Sequence, residues 1–272
     1  MIALDRCEAR LTSMKPARPR APDRRRVEQL LLQAGPYRGI EDRIDALSRR
    51  LLGRAYKSDP LIGSADTPEV FTASLDAFDC VTYLETVLAL ARSATPADFV
   101  KWLRRIRYEQ GRIEWKRRNH YMTFWIRNNQ RQGILRTLSM PAVRTVETAR
   151  TLNILSDLPA RRIRLRSLPK HALRRPPCPL HTGDLIFFVS TRKHLDVFHA
   201  GIVVRQGGRL MMRHASRSRG RVVEQPLGEF LRENRMAGVI VARPLGAVRA
   251  PRRQSRSTRA QTAKPVAGRS RT

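Results

Sequence analysis

The sequence has little cysteine, and its few cysteines cannot hold a fold together. Cys7, Cys80 and Cys178 are its three cysteines among 272 residues. None belongs to a Cys-x-x-Cys pair, and three thiols cannot form a closed disulfide framework. Cys178 and His181 have a metal-like spacing, but no second pair of ligands accompanies them. We therefore expect neither a disulfide-stabilised fold nor a metal site, and no cofactor.

Long hydrophobic runs are also missing. No stretch reaches the about 18 apolar residues of a membrane-spanning helix. Residues 1–26 are rich in Arg and Pro, and they lack the apolar core, about 7–15 residues long, of a secretory signal. No export route is visible, which leaves a cytoplasmic location open.

Acidic residues are scarce beside basic ones. The chain has 23 Asp and Glu against 54 Lys and Arg, a formal net charge of +31. Both ends carry part of this excess, and the body between them is basic as well. Such a charge predicts attraction to polyanions, namely nucleic acid, anionic membrane or acidic wall polymers. The alternative is an arginine-biased genome with a solvated surface.

The distribution of apolar residues divides the chain into a folded body and two tails. Residues 1–26 and 245–272 have too few apolar residues to bury a core, so we predict disordered basic tails there. The body, residues 27–244, is long enough for a sizeable core. Helices followed by an antiparallel sheet indicate the α+β class. The predicted helices are 27–34, 40–51, 80–91, 97–108 and 226–234, and the predicted strands are 184–190, 197–205, 209–216, 221–224 and 237–242.

One stretch, Leu75 to Ala91, changes abruptly from loop to helix. Asp79 is a good N-cap, which places Cys80 in the first turn. Free backbone N–H groups and the helix dipole favour an anion there, so we expect a thiol pKa below its usual ~8.5. A thiolate at a helix start is the usual arrangement of a cysteine nucleophile. The alternative is a cysteine that only packs in the core.

The strands on either side of Gly207-Gly208 form the best predicted hairpin. With the turn centred there, Gly201 faces His214 and His199 faces Ser216. The two histidines then share a face as diagonal neighbours, ~7–8 Å apart at the backbone. A single strand histidine is usually structural, but two of them with a helix-start cysteine are the parts of a thiol hydrolase. His199 would be the base, and His214 would fix its tautomer.

Residues 109–180 give weaker signals. Between Arg118 and Trp125, aromatic side chains stand beside cations. One interpretation is a half-buried strand with Arg stems over aromatic rings. A second is a substrate wall, and a third is a stacking face for nucleic acid. Because no recognised nucleic-acid motif accompanies the stretch, we expect no specific nucleic-acid partner.

Taken together, these motifs resemble a known group of enzymes. Asp79-Cys80 opening a helix, followed by the two histidine segments, resembles the NlpC-type papain-like cell-wall hydrolases in their unpermuted order. A narrower resemblance, over roughly residues 38–243, is to the N-acetylmuramoyl-L-alanine amidase-like branch of that superfamily. Its residues are Phe78-Asp79-Cys80-Val81-Thr82-Tyr83-Leu84-Glu85, Arg118-Asn119-His120-Tyr121, Leu195-Asp196-Val197-Phe198-His199-Ala200-Gly201-Ile202 and His214-Ala215-Ser216.

This resemblance implies one catalytic domain with a papain-like α+β core, in which N-terminal helices pack on an antiparallel sheet. It places the nucleophile on Cys80, the base on His199 and the orienting residue on His214. The usual Ser-Gly after the cysteine is Val81-Thr82 here. The long separation of Cys80 from His199 implies an inserted substrate-wall region, residues 109–180. Both departures fit the amidase-like branch.

The implied activity is cysteine-dependent hydrolysis of bacterial peptidoglycan or its muropeptides, at the amide between N-acetylmuramoyl and L-alanine, in the periplasm or outside the cell. We expect a monomer that is attracted to anionic wall or membrane polymers. The alternatives are a D-glutamyl-diamino acid endopeptidase of the stem peptide, a non-catalytic polyanion-binding protein, and a lipid or acyl-thioester transferase. The expected cleft-wall residues are Asp79, Arg118, His120, Tyr121 and Asp196.

Overall fold

The computed structural model describes residues 23–246, except 141–142, 154, 156 and 175–177. Most of both predicted tails therefore lies outside the described residues. The first helix begins at Arg24, inside the stretch predicted to be disordered. It begins there because the Asp23 carboxylate accepts hydrogen bonds from the first free backbone N–H groups, those of Arg25 and Arg26.

Helices precede most of the strands along the chain, as the sequence predicts. The helices are α1 (Arg24–Ala34), α2 (Ile40–Arg50), α3 (Cys80–Ala91), α4 (Pro96–Arg107), α5 (Met122–Arg131) and α6 (Leu227–Glu233). The strands are β1 (Ala55–Tyr56), β2 (Ala77–Phe78), β3 (Leu135–Thr137), β4 (Val146–Leu152), β5 (Arg161–Ser167), β6 (Leu185–Val189), β7 (Val197–Gln206), β8 (Arg209–Ser216), β9 (Arg221–Pro226) and β10 (Gly238–Pro244).

Eight of the strands form one sheet in the order β2-β1-β9-β8-β7-β6-β10-β3. All its pairs are antiparallel except β1 with β2. The strands β4 and β5 form a separate antiparallel pair. The α+β class is therefore confirmed. Residues 109–180 contribute both to the main sheet, through β3, and to the separate pair.

The main sheet is buried on both faces, and β6 shows why. Its sequence, Leu-Ile-Phe-Phe-Val, is apolar throughout, as expected of a strand covered on both sides. Leu185 and Phe187 point into the core beneath α1–α5. Ile186 and Phe188 point to the opposite face, where α6 packs. This alternation follows from the two-residue period of a strand.

The half-buried strand considered for residues 118–125 is wrong, because this stretch contains the start of α5. Met122, Trp125, Ile126 and Asn129 are buried at helical spacing. The opposite side of α5 carries polar and charged residues. The aromatic side chains in this stretch therefore lie on two faces of a helix.

A buried ion pair joins three helices below the sheet. Glu85 on α3 accepts a hydrogen bond of 2.7 Å from Nε of Arg107 on α4. The indole of Trp125 on α5 donates to the other carboxylate oxygen at 3.2 Å. Arg107 also donates to the Thr72 carbonyl. Because these groups satisfy one another away from water, they fix the position of α3.

A second buried cation holds the strand β8 against α2. The Arg213 side chain is fully buried and donates to Asp45 Oδ1 and Glu224 Oε2, both at 2.7 Å. These contacts tie β8 to α2 on one side and to β9 on the other. The residue after Arg213 is His214, so this anchor also fixes the backbone of a candidate site residue.

Candidate active site

Cys80 is the first residue of α3, as predicted. The Asp79 carboxylate accepts hydrogen bonds from the Thr82 N–H and hydroxyl, both at 2.7 Å. The Thr82 hydroxyl in turn accepts from the Asp79 N–H at 3.0 Å, which completes a capping box. The Cys80 side chain is partly exposed. The cap therefore starts the helix at the cysteine.

The expected decrease in the pKa of the Cys80 thiol is wrong. Burial and then the neighbouring Asp79 carboxylate raise this pKa from 9.0 to about 12, a difference of about 4 kcal/mol. The N–H groups of Ala200, Cys80 and Val81 act in the opposite direction. A helix terminus contributes typically about 0.3–1 kcal/mol, which is too little to offset that increase. The resting thiol is therefore protonated.

The hairpin register predicted around Gly207-Gly208 is confirmed only as far as Ile202, which pairs with Arg213. The predicted pairs of Gly201 with His214 and of His199 with Ser216 are wrong. Beyond Ile202, β7 pairs with β6, and β8 pairs with β9. The two strands therefore diverge. The Ala200 N–H lowers the pKa of the Cys80 thiol, which indicates that the sulfur lies near the backbone next to His199.

The two histidine rings meet despite this divergence. Nε2 of His199 and Nδ1 of His214 lie 2.7 Å apart, and the rings are nearly perpendicular. The His199 ring also stacks on Phe188 and Phe230, with centroids at 6.2 and 5.4 Å. These two aromatic rings restrict the orientation of His199. Among the described residues, no hydrogen bond joins the Cys80 thiol to His199.

Both imidazoles are neutral at pH 7. Burial, followed by the neighbouring His214, lowers the pKa of His199 to about 3. Burial also lowers the pKa of His214 to about 4, with Arg219 acting in the same direction and Gln225 in the opposite one. A neutral imidazole can accept a proton, so His199 is in the correct state to act as a base.

Gln225 is a site residue that the sequence reasoning missed. On β9 it pairs with Met212, and Val223 pairs with His214, so Gln225 and His214 share a face of the sheet. Nε2 of His214 is buried and has no hydrogen bond of standard length in the described part of the chain. The Gln225 side chain nevertheless raises the pKa of His214, as a hydrogen-bond acceptor does. The alternation of side chains between the two faces of β9 was the sequence signal that could have identified Gln225.

Three of the expected wall residues, Arg118, His120 and Tyr121, line one cavity of about 150 Å³. We call it the α5 cavity, because the outer side of α5 forms much of its wall. Its other lining residues are Glu109, Lys116, Arg117, Asn119, Phe124, Arg127, Asn128, Arg131, Leu158, Pro159 and Arg161. The lining contains none of the three candidate catalytic residues.

The three wall residues differ in their contacts. Arg118 forms an ion pair of 3.2 Å with the buried Glu69. His120 lies 2.7 Å from the Trp115 carbonyl through Nε2. Burial, and to a lesser extent Arg118, lowers the pKa of His120 to about 4. The Tyr121 hydroxyl accepts a long hydrogen bond from the Leu155 N–H. The cavity wall is therefore tied to three separate segments.

The other two expected wall residues, Asp79 and Asp196, both bind helix starts. Asp79 caps α3. Asp196 Oδ2 accepts hydrogen bonds from the Thr123 N–H at 2.7 Å and from its hydroxyl at 2.8 Å, at the first turn of α5. Its second oxygen accepts from the Val197 N–H at 2.7 Å. Asp196 is nearly fully buried, so it joins α5 to the strand that carries His199.

No group of three or more His, Cys, Asp and Glu suited to a metal ion occurs among the described residues. Within the same residues, no helix is both long and apolar enough to cross a membrane.

Solved structures share this fold. A protein of Legionella pneumophila str. Philadelphia 1 has a TM-score of 0.72 and 20% identity, over 84% of this chain and 96% of that one. An N-acetylmuramoyl-L-alanine amidase of Bacteroides uniformis ATCC 8492 has a TM-score of 0.65 and 25% identity, over 76% and 99%. A Bacteroides fragilis protein named as a xylanase has a TM-score of 0.63 and 28% identity, over 72% and 98%.

No curated protein matches the sequence significantly. A family model does match: AmiA-like, N-acetylmuramoyl-L-alanine amidase-like, over residues 46–239. The matched region is well over half of the chain, and it contains Cys80, His199 and His214. The chain therefore belongs to the AmiA-like, N-acetylmuramoyl-L-alanine amidase-like family.

Proposed function

We propose that this chain is a cysteine-dependent amidohydrolase of bacterial peptidoglycan that cleaves the amide between N-acetylmuramoyl and L-alanine. Family membership supports an amidase activity. So does the name of the Bacteroides uniformis protein of similar fold. The observation that carries the proposal is the 2.7 Å contact between His199 and His214, near a Cys80 thiol whose pKa the Ala200 N–H lowers.

The order of these residues supports a papain-like core of the NlpC type, unpermuted. The nucleophile at the start of α3 precedes the base on β7 and the orienting residue on β8. Residues 109–180 would then be the inserted region that shapes the cleft. Its residues Arg118, His120 and Tyr121 would contact the substrate, while Asp79 and Asp196 would hold the cleft from behind as helix caps.

One consistent set of tautomers connects the side chains of Cys80, His199, His214 and Gln225. For Nδ1 of His199 to take the proton of Cys80, the His199 proton must reside on Nε2. That N–H then donates to Nδ1 of His214, so the His214 proton resides on its own Nε2. Gln225 can accept this last proton through its carbonyl oxygen. The chain of donors thus fixes His199 as an acceptor towards the thiol.

Catalysis would begin from a neutral thiol and a neutral imidazole. As the Cys80 sulfur bonds to the carbonyl carbon, its proton passes to His199, and the carbonyl oxygen becomes an oxyanion that accepts from the Cys80 N–H. His199 then gives the proton to the L-alanine nitrogen, which leaves as the amine. Water, deprotonated by His199, hydrolyses the thioester and releases the muramoyl carboxylate and the free thiol.

Purified sacculi test this proposal. Wild type should release stem peptides with a free L-alanine amino terminus, and Cys80→Ala should release none. Cys178→Ala is the matched control, because it removes a partly exposed thiol outside the site, and it should retain activity. Release by Cys80→Ala would end the thiol mechanism. Mass spectrometry of the products distinguishes the proposed bond from an endopeptidase cut within the stem peptide.

One observation favours a second candidate, a non-catalytic protein that binds polyanions. Arg162, Arg164 and Arg166 recur at every second residue of β5 and are exposed, so they share one face. Glu147 is the carboxylate that pairs with two of them, at 3.5 and 3.6 Å. This function predicts steeply salt-dependent binding to sacculi that is the same in wild type and Cys80→Ala, with no peptide release.

A further inference from the structure

The α5 cavity has a charge that its own residues do not neutralise. Six of its lining residues are Lys or Arg, and Glu109 is the one acid among them. Glu109 pairs with Arg117 at 2.9 Å, and Arg118 pairs with Glu69 outside the lining. The remaining cations, Lys116, Arg127, Arg131 and Arg161, take part in none of the ion pairs among the described residues.

Two of these cations, both on exposed residues, lie over one aromatic ring. The guanidinium carbon of Arg127 lies 5.4 Å from the centroid of Phe124, and that of Arg161 lies 5.2 Å from it. Arg127 comes from α5, and Arg161 is the first residue of β5. Stacking on a ring limits the motion of a guanidinium but leaves the N–H groups at its edge available. Two planar donor groups are thus preorganised at one wall.

The neighbouring groups are polar and uncharged. The Asn128 amide donates to Asn119 at 2.6 Å, and both residues line the cavity. His120 stays neutral at pH 7, since burial and the charge of Arg118 lower its pKa to about 4. The lining therefore carries an excess of positive charge, which a bound oxyanion would offset.

We propose that the α5 cavity is a carboxylate-binding subsite in which Arg127 and Arg161 hold an acidic group of the substrate's peptide. This inference rests on the proposed function, which makes the substrate a peptide. A cavity of about 150 Å³ admits one such group with its neighbouring atoms. Asp196 fixes the start of α5 to β7, so the subsite and His199 belong to one rigid frame.

Binding is measured on the full chain with Cys80→Ala, which cannot turn over a ligand. The probes are N-acetyl-L-alanyl-D-glutamate and the same dipeptide with both carboxyl groups amidated, followed by calorimetry. The diacid should bind at least tenfold more tightly than the diamide. Arg127→Gln and Arg161→Gln should each lower the affinity for the diacid by about 10- to 100-fold, the range expected for charged hydrogen bonds.

Arg50→Gln is the matched control, since it removes the same charge from an exposed position on α2 and should change binding less than twofold. Diacid binding should also raise the pKa of His120, which NMR locates by comparison with His120→Gln. Equal affinity for diacid and diamide would overturn the subsite. So would tight binding of inorganic phosphate with no binding of the diacid.

The two proposals can fail separately. If the diacid binds with the expected preference but wild type releases nothing from sacculi, the subsite stands and the amidase function falls. If wild type releases stem peptides and Arg127→Gln does so with unchanged KM and kcat, the subsite falls and the amidase function stands.

Discussion

Two polar clusters of this molecule contain histidine, and the side chains around the histidines differ between them. His199 and His214 lie among phenylalanine rings and contact each other. His120 lies in the α5 cavity among cations. Burial lowers all three pKa values, to about 3, 4 and 4. The other contribution that lowers the pKa differs, because it comes from the partner imidazole at His199 and from the Arg118 guanidinium at His120.

The comparison shows that burial decides which groups of a cluster stay charged. In the first cluster burial removes charge altogether, so that thiol and imidazoles rest neutral, and in the proposed reaction charge would develop only as the proton is transferred. In the second cluster the charges remain, because guanidinium groups stay protonated at any working pH. A neutral site suits proton transfer, and a charged one suits the capture of an anion.

Replacing His199 should impair the cluster of His199 and His214 and leave the α5 cavity unaffected. His199→Gln removes the proton acceptor, and kcat/KM for peptide release should fall about 10²–10⁴-fold. Diacid binding to the α5 cavity should be unchanged. His171→Gln, at an exposed histidine, is the control and should keep full activity. A loss of only a few-fold would mean that another group takes the proton.

Removing the buried ion pair of Glu85 with Arg107 should destabilise the fold. Glu85→Ala leaves the Arg107 guanidinium buried without its partner, which should cost about 3–5 kcal/mol in the free energy of unfolding, measured by urea denaturation. Glu109→Ala breaks the half-exposed pair with Arg117 and should cost less than about 1 kcal/mol. Similar losses in the two variants would contradict the structural role of the Glu85 pair.

Local patterns predicted much of this arrangement. The cap at Asp79, the helix that starts at Cys80 and the hairpin around Gly207-Gly208 each depend on neighbouring residues. The meeting of His199 and His214 followed from that hairpin. It was confirmed even though the pairing ends before the histidines, because their side chains still share a face of the sheet.

Long-range contacts could not be predicted in the same way. Asp196 binds Thr123, which is 73 residues away, so nothing local marks it as a cap for α5. The pKa of Cys80 depends on how deeply the sheet buries it, and the spacing of residues does not reveal this. The stacking of Arg127 and Arg161 on one ring likewise joins residues from separate elements.

The protonation state of the thiol can be read from its alkylation. Because the pKa of Cys80 is raised to about 12, its rate with iodoacetamide should rise about tenfold per pH unit from pH 6 to 9. A variant without Cys7 and Cys178 isolates this signal. Asp79→Asn keeps a capping side chain but removes a negative charge, so it should speed alkylation. A plateau between pH 5 and 8 would instead reveal a thiolate–imidazolium pair.

The smallest expected effect comes from Gln225, at the far end of the donor chain. Gln225→Leu removes the group that the proposed tautomers assign as acceptor of the His214 proton, so both tautomers of His214 should become populated and His199 should be less often in the productive one. We expect kcat to fall about tenfold, a change of about 1.4 kcal/mol in the barrier, with KM unchanged. Gln225→Glu retains an acceptor and should restore most of the rate.

Nitrogen-15 NMR of the imidazoles separates this positioning role from a merely structural one. Wild type should show protons on Nε2 of both His199 and His214, whereas Gln225→Leu should show a mixture at His214. This readout needs no substrate, so it holds whatever bond the protein cleaves. An unchanged tautomer in Gln225→Leu would show that the phenylalanine rings and the contact between the histidines fix the proton of His214 on their own. The neutral cluster of Cys80, His199 and His214 would then not need Gln225.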